Sequence, residues 1–358
     1  MATTAKMRNP KDSMKSDWYT ALPRDQWTWH HWFYHYTGVY KEGVETPVPI
    51  YQKTERVPYV SDWTTHGWIT AHIATTIFLN HLYVVYTGHN LSAVAAFFFY
   101  SLAFKITAIH EMRALRYVGH MTGYLDGDAH ARDGVPNVGV EKVVWSLLST
   151  STFRPIFTLF LSWRTAQAPA DANWLLVPLE TGLYIVTLDF WFYWYHRLMH
   201  EVDWLWRFHR THHLTKHPNP LLTLYADTVQ ELFDVAGIPL MSYFSLKAVG
   251  LPMGFYEWWF AHQFVMFTEL VGHSGLRIVL WPPNPLNPLI RLFGLELIIE
   301  DHDIHHRKGW KRSGNYGKQT RIWDSLFGTN LGRIECQDSN IDWKGEPVSI
   351  PMFFRSFT

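Results

Sequence analysis

The sequence predicts an all-α fold: an integral membrane helical bundle with a histidine-rich cap on its cytosolic side. Three observations predict it. Six long apolar stretches recur along the 358 residues. Aromatic residues make up 17% of the chain, 19 of them Trp, and indole rings favour membrane–water boundaries. Many of the 21 His gather in tight clusters instead of scattering.

A bilayer span needs about 20 mostly apolar residues. Leu91–Ile109 and Trp174–Tyr195 meet that length. Gly67–Gly88 is interrupted by His72, Asn80 and His81, and 143–163 is broken near Arg154-Pro155. The stretches 235–249 and 255–271 are shorter. The pattern reads as about four spans, with other helices at the interface or capping the site. A mean hydropathy of −0.12 is low for such a protein, and a soluble bundle of aromatic-rich helices is the alternative. Lys and Arg equal Asp and Glu at 31 each, so no net field recruits nucleic acid or an anionic surface. The single cysteine, Cys336, rules out an internal disulfide framework and fits a cytosol-facing environment. Met1–Asp17 has no apolar core, so no cleavable signal peptide is expected.

Polar, turn-rich 124–139 and the proline-rich 282–288 mark loops. The organisation expected is an N-terminal interfacial segment over 1–66, membrane helices over 67–178, a His-cluster domain over 179–330 and a tail over 331–358, built as one unit. Trp27, Trp29, His30, His31, Trp32 and His35 crowd together near the start, an arrangement that suits a membrane interface better than a pocket.

The clusters are His196-x3-His200, His209-x2-His212-His213 and His302-x2-His305-His306. On a helix, positions i, i+3 and i+4 share a face, so each cluster aims two or three imidazoles at one place. Isolated histidines such as His72 and His81 read as core residues; these eight read as metal ligands. Eight imidazoles exceed what one ion takes, which makes the cap a di-metal site. Imidazole suits Fe, Zn, Cu and Ni alike, and the Glu-x-x-His pairs of soluble di-iron bundles are absent.

The spacing of the three clusters resembles the fatty acid hydroxylase and sterol desaturase superfamily, which includes C-4 methylsterol oxidases, sterol C-5 desaturases and sphingoid-base hydroxylases. Asp189 seven residues before His196, the His273-Ser-Gly segment, Gly314-Asn315-Tyr316-Gly317 and the run from Trp323 to Thr329 extend the resemblance. It covers about 179–329; nothing before about Asn173 carries it. The resemblance implies a multi-pass endoplasmic-reticulum enzyme with its site facing the cytosol. It implies two Fe ions, O2, and electrons from cytochrome b5 and its NAD(P)H-dependent reductase. No fused His-Pro-Gly-Gly motif is present, so the donor is a separate protein.

Carried over residue by residue, the ligands are His196, His200, His209, His212, His213, His302, His305 and His306, with His273 as a ninth. Some members place a further His four residues ahead of that one; here the position is Glu269, which leaves the tenth ligand open. Asp189 shares a helix face with Tyr193, His196 and His200 and is expected to accept an imidazole N–H. Asp303 can do the same more weakly, and Glu269 and Asn315 are placed around the ligands. Arg197 and Arg210 are expected to pair with acids or face a donor protein.

The activity implied is O2-dependent hydroxylation of an unactivated C–H bond in a lipid-like substrate, be it a sterol, a fatty acyl chain or a related metabolite. The motifs lean toward the methylsterol oxidase branch. A desaturase is the runner-up within the family. A zinc-dependent membrane hydrolase lacks a His-Glu-x-x-His motif, and a bis-His cytochrome would place its ligands singly on separate helices.

Overall fold

The computed structural model describes residues 9–40 and 47–353; the other parts of the expected terminal segments lie outside these. All six apolar stretches are helical. Naming the helices used below in order, α1 is Trp29–Thr37, α2 Asp62–Thr87, α3 Ala93–Thr122, α4 Val140–Ser162 and α5 Val177–Glu201. They continue with α6 Asp203–His209, α7 Ile238–Ala248, α8 Phe255–Gly272, α9 Ile299–Lys308 and α10 Ile322–Phe327. No β-strand forms among the described residues; three isolated bridges, Val57–Ile341, Tyr59–Val279 and Tyr124–Leu276, tie loops together.

Helices α2 and α3 form a hairpin. Ser61 and Ser92 cap their N-termini through side-chain oxygens, and Gly88 ends α2 in the left-handed region at φ 74°, as such caps require. Among the described residues, these two are the helices long and apolar enough to cross a membrane, and only 33% of each apolar window is buried. A core helix of a soluble protein would bury most of such a window. Phe78, Leu82, Tyr86, Val94, Phe98 and Leu102 stand exposed near the hairpin tip, where lipid is their natural neighbour. Of the two stretches expected to be long enough, Leu91–Ile109 passes this test as part of α3. The stretch 67–88, interrupted by polar residues, passes the test, whereas Trp174–Tyr195 became α5, a helix that buries Glu180 and Asp189 and packs inside the bundle.

The break expected at Arg154-Pro155 does not occur either: α4 runs through both. An interior proline leaves the carbonyl four residues earlier without its N–H partner. That carbonyl belongs to Ser151, and the Lys105 ammonium of α3 takes it at 3.0 Å. Lys105, the lone charge in its apolar run, thus repairs the neighbouring helix.

Helix α8 is the axis of the bundle. Every residue but Phe260 is buried, as a helix enclosed on all sides must be, and it packs on α2, α3, α4, α5 and α9. Arg154 of α4 grips Glu269 of α8 with two bonds of 2.8 and 2.9 Å, and Lys318 lies 3.4 Å from the same carboxylate. Burial alone would raise the Glu269 pKa, but the two cations hold it down at about 2. Backbone bonds Leu125–Gly275 and Arg277–Gly123 fasten the C-terminal ends of α3 and α8 at one end of the molecule. Asn90, next to the hairpin turn, meets Gln167 and Tyr256 at the other end.

Part of the N-terminal aromatic segment packs inward. Trp18, Trp27, Tyr34 and Tyr40 are buried and pack ring on ring, and Trp18 donates to the Val135 carbonyl. Trp29 alone of the expected Trp set is about half exposed, at 48%.

Removing one partner of a buried ion pair leaves an uncompensated charge and costs about 3–5 kcal/mol. Arg154→Met should therefore destabilise the protein by that order in chemical unfolding. The double variant with Glu269→Gln should fall well short of the sum of the two single losses; strict additivity would show that the pair is not coupled.

Candidate metal centre

Nine imidazoles converge in two adjoining groups. His196, His200, His209, His213 and His305 form one, and His212, His273, His302 and His306 form the other, with donor atoms inside each group within 4.8 Å of one another. These are the nine histidines named from the sequence. All are buried.

Local structure explains how the clusters divide. His196 and His200 lie one turn apart on the last turns of α5. The second cluster is not one helix, as its spacing suggests: α6 ends at His209 and a 3-10 turn begins at His212. The third lies on α9 and His273 follows the end of α8. In both H-x2-H-H runs the i and i+4 imidazoles share a group while the i+3 imidazole joins the other one. His209 and His213 enter the five-membered group and His212 the four-membered one; His302 and His306 enter the four-membered group and His305 the five-membered one. Each run therefore stitches both groups together. His196 and His200, again i and i+4, complete the first group. The matching i, i+4 pair of the second group would be residues 269 and 273, and 269 is a glutamate.

The contacts between rings identify what the groups are built for. Nδ1–H of His196 donates to the Tyr316 carbonyl at 2.8 Å, and Nδ1–H of His209 donates to Gln230 Oε1 at 2.9 Å. Each neutral ring has a single N–H, so both Nε2 atoms carry only lone pairs. Those two atoms nevertheless face each other at 3.0 Å. His213 Nε2 has three such neighbours at 3.0 Å, from His200, His209 and His305. His273 Nδ1–H is committed to the Glu269 carbonyl, and its Nε2 lone pair faces the Nε2 atoms of His302 and His212 at 3.0 and 3.3 Å. Lone pairs crowd like this only around a shared cation. Imidazole nitrogens about 2.1 Å from one ion and at right angles across it lie about 3.0 Å apart. His306 Nε2, buried in the second group without any partner, fits the same arrangement. The residues present fit two metal ions.

Outer bonds hold His196, His209, His273, His305 and His306 in the tautomer that points Nε2 inward. His305 donates to the Gly314 carbonyl at 2.8 Å and His306 to the Thr215 carbonyl at 3.0 Å. Burial keeps the rings neutral: it depresses His209 to about 4, and His273 and His305 to about 3.

The four outer residues named from the sequence sit close by, but none bonds a ligand ring through its side chain. Asp189 accepts from the backbone N–H groups of Lys318, Gln319 and Thr320 and from the Thr320 hydroxyl. It shapes the loop whose Tyr316 carbonyl holds His196, one step further out than expected. Asp303 pairs with Arg132 and Arg307. Glu269 pairs with Arg154, and only its backbone carbonyl reaches His273. Asn315, left-handed at φ 53°, bridges the Asp301 carbonyl and the Leu331 N–H. Arg197 and Arg210 do pair with acids, Glu201 and Asp12. His72 stays outside both groups and meets His110 at 2.8 Å.

Gln230 went unnoticed in the sequence. It accepts from His209, and its own amide reaches Asp234 at 3.3 Å. Both lie at the start of the helical run into α7, where residues Phe233–Gly237 form a π-helical turn, a distortion frequent at functional sites. A lone Gln beside a lone Asp carries no motif that could have marked them.

A cavity of 190 Å³ is lined by Ser274, the residue after His273, and by Arg132, the partner of Asp303, though by none of the nine histidines. Val39, Met112, Leu115 and Leu221 give it an apolar wall, with Arg116, Asp133 and Asn219 adding polar lining.

A family model described as fatty acid hydroxylase matches residues 181–329. The chain is 42% identical over 315 residues to the fatty acid hydroxylase vlmA of Lecanicillium sp, an alignment covering 84% of this chain and 86% of that one. It is 30% identical over 199 residues to a cholesterol 25-hydroxylase-like protein of Danio rerio, covering 52% of this chain and 72% of the other. It is 29% identical over 174 residues to methylsterol monooxygenase 2-1 of Arabidopsis thaliana, covering 45% and 58%. No solved structure matches the chain significantly.

Two outcomes follow from the geometry. Gln230→Leu removes the acceptor that fixes the His209 tautomer, and loss of such an outer partner lowers metal affinity about 10–100-fold; competition with a chromophoric chelator reads this, and unchanged affinity contradicts the role. In metal-stripped protein, His209, His273 and His305 resist protonation down to pH values of about 4 and 3, whereas unfolded His takes a proton near 6.5. The unfolded chain thus binds more protons below about pH 6.5, so stability falls from there toward about pH 4. The melting temperature should be clearly lower at pH 5 than at 7.5; a flat profile would contradict it.

Proposed function

Because the chain belongs to the fatty acid hydroxylase family, we propose that it is a membrane-bound di-iron monooxygenase that hydroxylates a fatty acyl chain, taking its electrons from a cytochrome b5 type donor. Members of this family are lipid oxidases with membrane character. The observation that carries the finer reading is the convergence of inward-facing Nε2 atoms in both histidine groups, with those of His196 and His209 both unprotonated at 3.0 Å. When bound there, two iron ions supply the redox chemistry that activates O2 against an unactivated C–H bond. Zinc would satisfy the donors but has no redox chemistry.

The chain's own residues do the rest. His196, His200, His209, His213 and His305 hold one ion; His212, His273, His302 and His306 hold the other. Backbone carbonyls of Tyr316, Gly314, Thr215 and Glu269 and the Gln230 amide fix their tautomers. Glu269, tied to Arg154, supplies no fifth donor to the second group, which leaves that group the more open one toward oxygen and substrate. The apolar wall of the adjoining cavity excludes water and presents a C–H bond rather than a polar group.

The substrate reading departs from the methylsterol branch toward which the motifs lean. The similarity to a fatty acid hydroxylase spans 84% of this chain, against 45% for the methylsterol monooxygenase. The α2–α3 hairpin supplies membrane attachment, and the single cysteine and the family resemblance support a site at the cytosolic face of the endoplasmic reticulum.

Purified protein should carry about two equivalents of iron and convert a fatty acyl substrate to a hydroxylated product whose new oxygen comes from labelled O2. His200→Ala and His212→Ala, one from each group, should each reduce turnover at least about a hundredfold. Full turnover after iron chelation, or incorporation of oxygen from water instead, would refute the reading.

A further inference from the structure

Hydroxylation consumes electrons from outside the chain: RH + O2 + 2 e⁻ + 2 H⁺ gives ROH + H2O. Resting on the oxidase reading above, we propose that these electrons enter through the stacked indoles of Trp206 and Trp310. The basic rim around Trp310 is the docking surface for an acidic protein that carries one electron at a time.

The five-membered histidine group has an aromatic contact to the surface and the four-membered group has none. Trp206 packs its ring 5.1 Å from that of His200, 5.5 Å from His213 and 6.0 Å from His209. Its other face stacks on Trp310 at 5.4 Å, with the planes only 10° apart. Trp310 is 37% exposed, although each of the five ligands is buried. Its backbone carbonyl lies 3.4 Å from His200 Nδ1, a second link from the same residue to the same ring. Among the described residues, the rings of His212, His273, His302 and His306 meet only other histidine rings. The Trp pair is therefore a continuous π path of two rings from solvent to the centre, shorter than the three-ring routes through Tyr316, Tyr193 and Phe327 and through Phe192, Tyr195 and Phe233.

The charge around it has one sign to spare. Lys308, Lys311 and Arg312 flank Trp310 in the chain and are exposed. Lys311 lies over the indole at 4.8 Å. The Lys216 ammonium reaches Gly309, whose φ of 67° turns the chain there and where a Cβ would collide with it. The nearby acids are spent: Asp203 pairs with Lys311 at 2.9 Å and Glu201 with Arg197 at 2.8 Å. Among the described residues, no carboxylate forms an ion pair with Lys308 or Arg312. A polar groove of 460 Å³ opens alongside, with His200, Lys311 and Tyr316 in its wall. A basic rim around an exposed conduit selects an acidic partner and speeds its approach, and salt screens that attraction.

The test uses iron-loaded full-length protein under anaerobic stopped flow, with two reductants: dithionite, and the reduced soluble haem domain of a cytochrome b5 as the acidic probe. The triple variant Lys308→Glu, Lys311→Glu, Arg312→Glu should lower the second-order rate with the haem domain at least about tenfold and abolish its salt dependence. Its iron content and dithionite reduction should match wild type. Trp310→Leu should slow the electron-transfer step after docking while keeping the salt dependence, and Trp310→Phe should recover part of it. A triple variant reduced by the haem domain at the wild-type rate would overturn the docking surface. Leu and Phe variants that both behave as wild type would overturn the conduit. Wild type that neither reductant reduces would show that the oxidase reading is wrong, and the proposal falls with it.

Discussion

Imidazole lone pairs repel, and this fold is organised around forcing nine of those rings together. In water each ring would take a hydrogen bond at both nitrogens. Here the rings are buried at the ends of α5, α6, α8 and α9, with Nδ1 of most of them turned outward to a carbonyl and Nε2 turned inward toward its neighbours. Such an interior is unfavourable when empty and strongly favourable around cations, so metal binding and folding are one free energy in this region. Burial makes the same demand, since it holds the rings neutral and thus ready to ligate.

The rest of the bundle can be understood as the support that makes this crowding rigid. Helix α8 delivers His273 and is locked in place by the Arg154–Glu269 pair, which spends two charges deep inside to fix one helix against another. Asp189 and Asp324 use their carboxylates on the backbone of residues 316–320, and the carbonyl of Tyr316 at the start of that loop holds His196. Burial pushes Asp189 up to about 6 despite its four donors. The acids around the centre are therefore builders of loops. The membrane hairpin stands apart from this polar construction, and its exposed Phe and Leu faces need nothing but lipid.

Periodicity and spacing revealed what depends on residue type repeated at fixed intervals. The six helices and the nine histidines belong to that class. What escaped depends on individual side chains meeting across the fold. Which apolar helices lack polar groups toward lipid depends on where interruptions lie: His72 finds His110 across the hairpin and Asn80 finds Tyr256, so these two polar residues of α2 point into the protein. In Trp174–Tyr195 the one acidic residue that matters, Asp189, faces inward to a loop 129 residues away. Pro155 was taken as a break because nothing in the sequence shows that Lys105 will occupy the freed carbonyl. Gln230 was invisible for the same reason.

The unequal division of the histidines has a chemical consequence. If the second group repeated the first, an imidazole at position 269 would stand one turn before His273, as His196 stands before His200. The chain spends that position on an ion pair instead, and Lys318 adds a cation beside it. A carboxylate held by two cations, with its pKa lowered to about 2, is a poor candidate to swing away and ligate, because doing so would strand Arg154 in the interior. The second ion would then have one protein donor fewer than the first. An exchangeable position there, and the indole path on the opposite group, would separate where substrate and oxygen arrive from where electrons arrive. Reducing equivalents would reach the centre without crossing the hydrocarbon pocket, which keeps the oxidising chemistry next to the C–H bond and away from the exposed tryptophans.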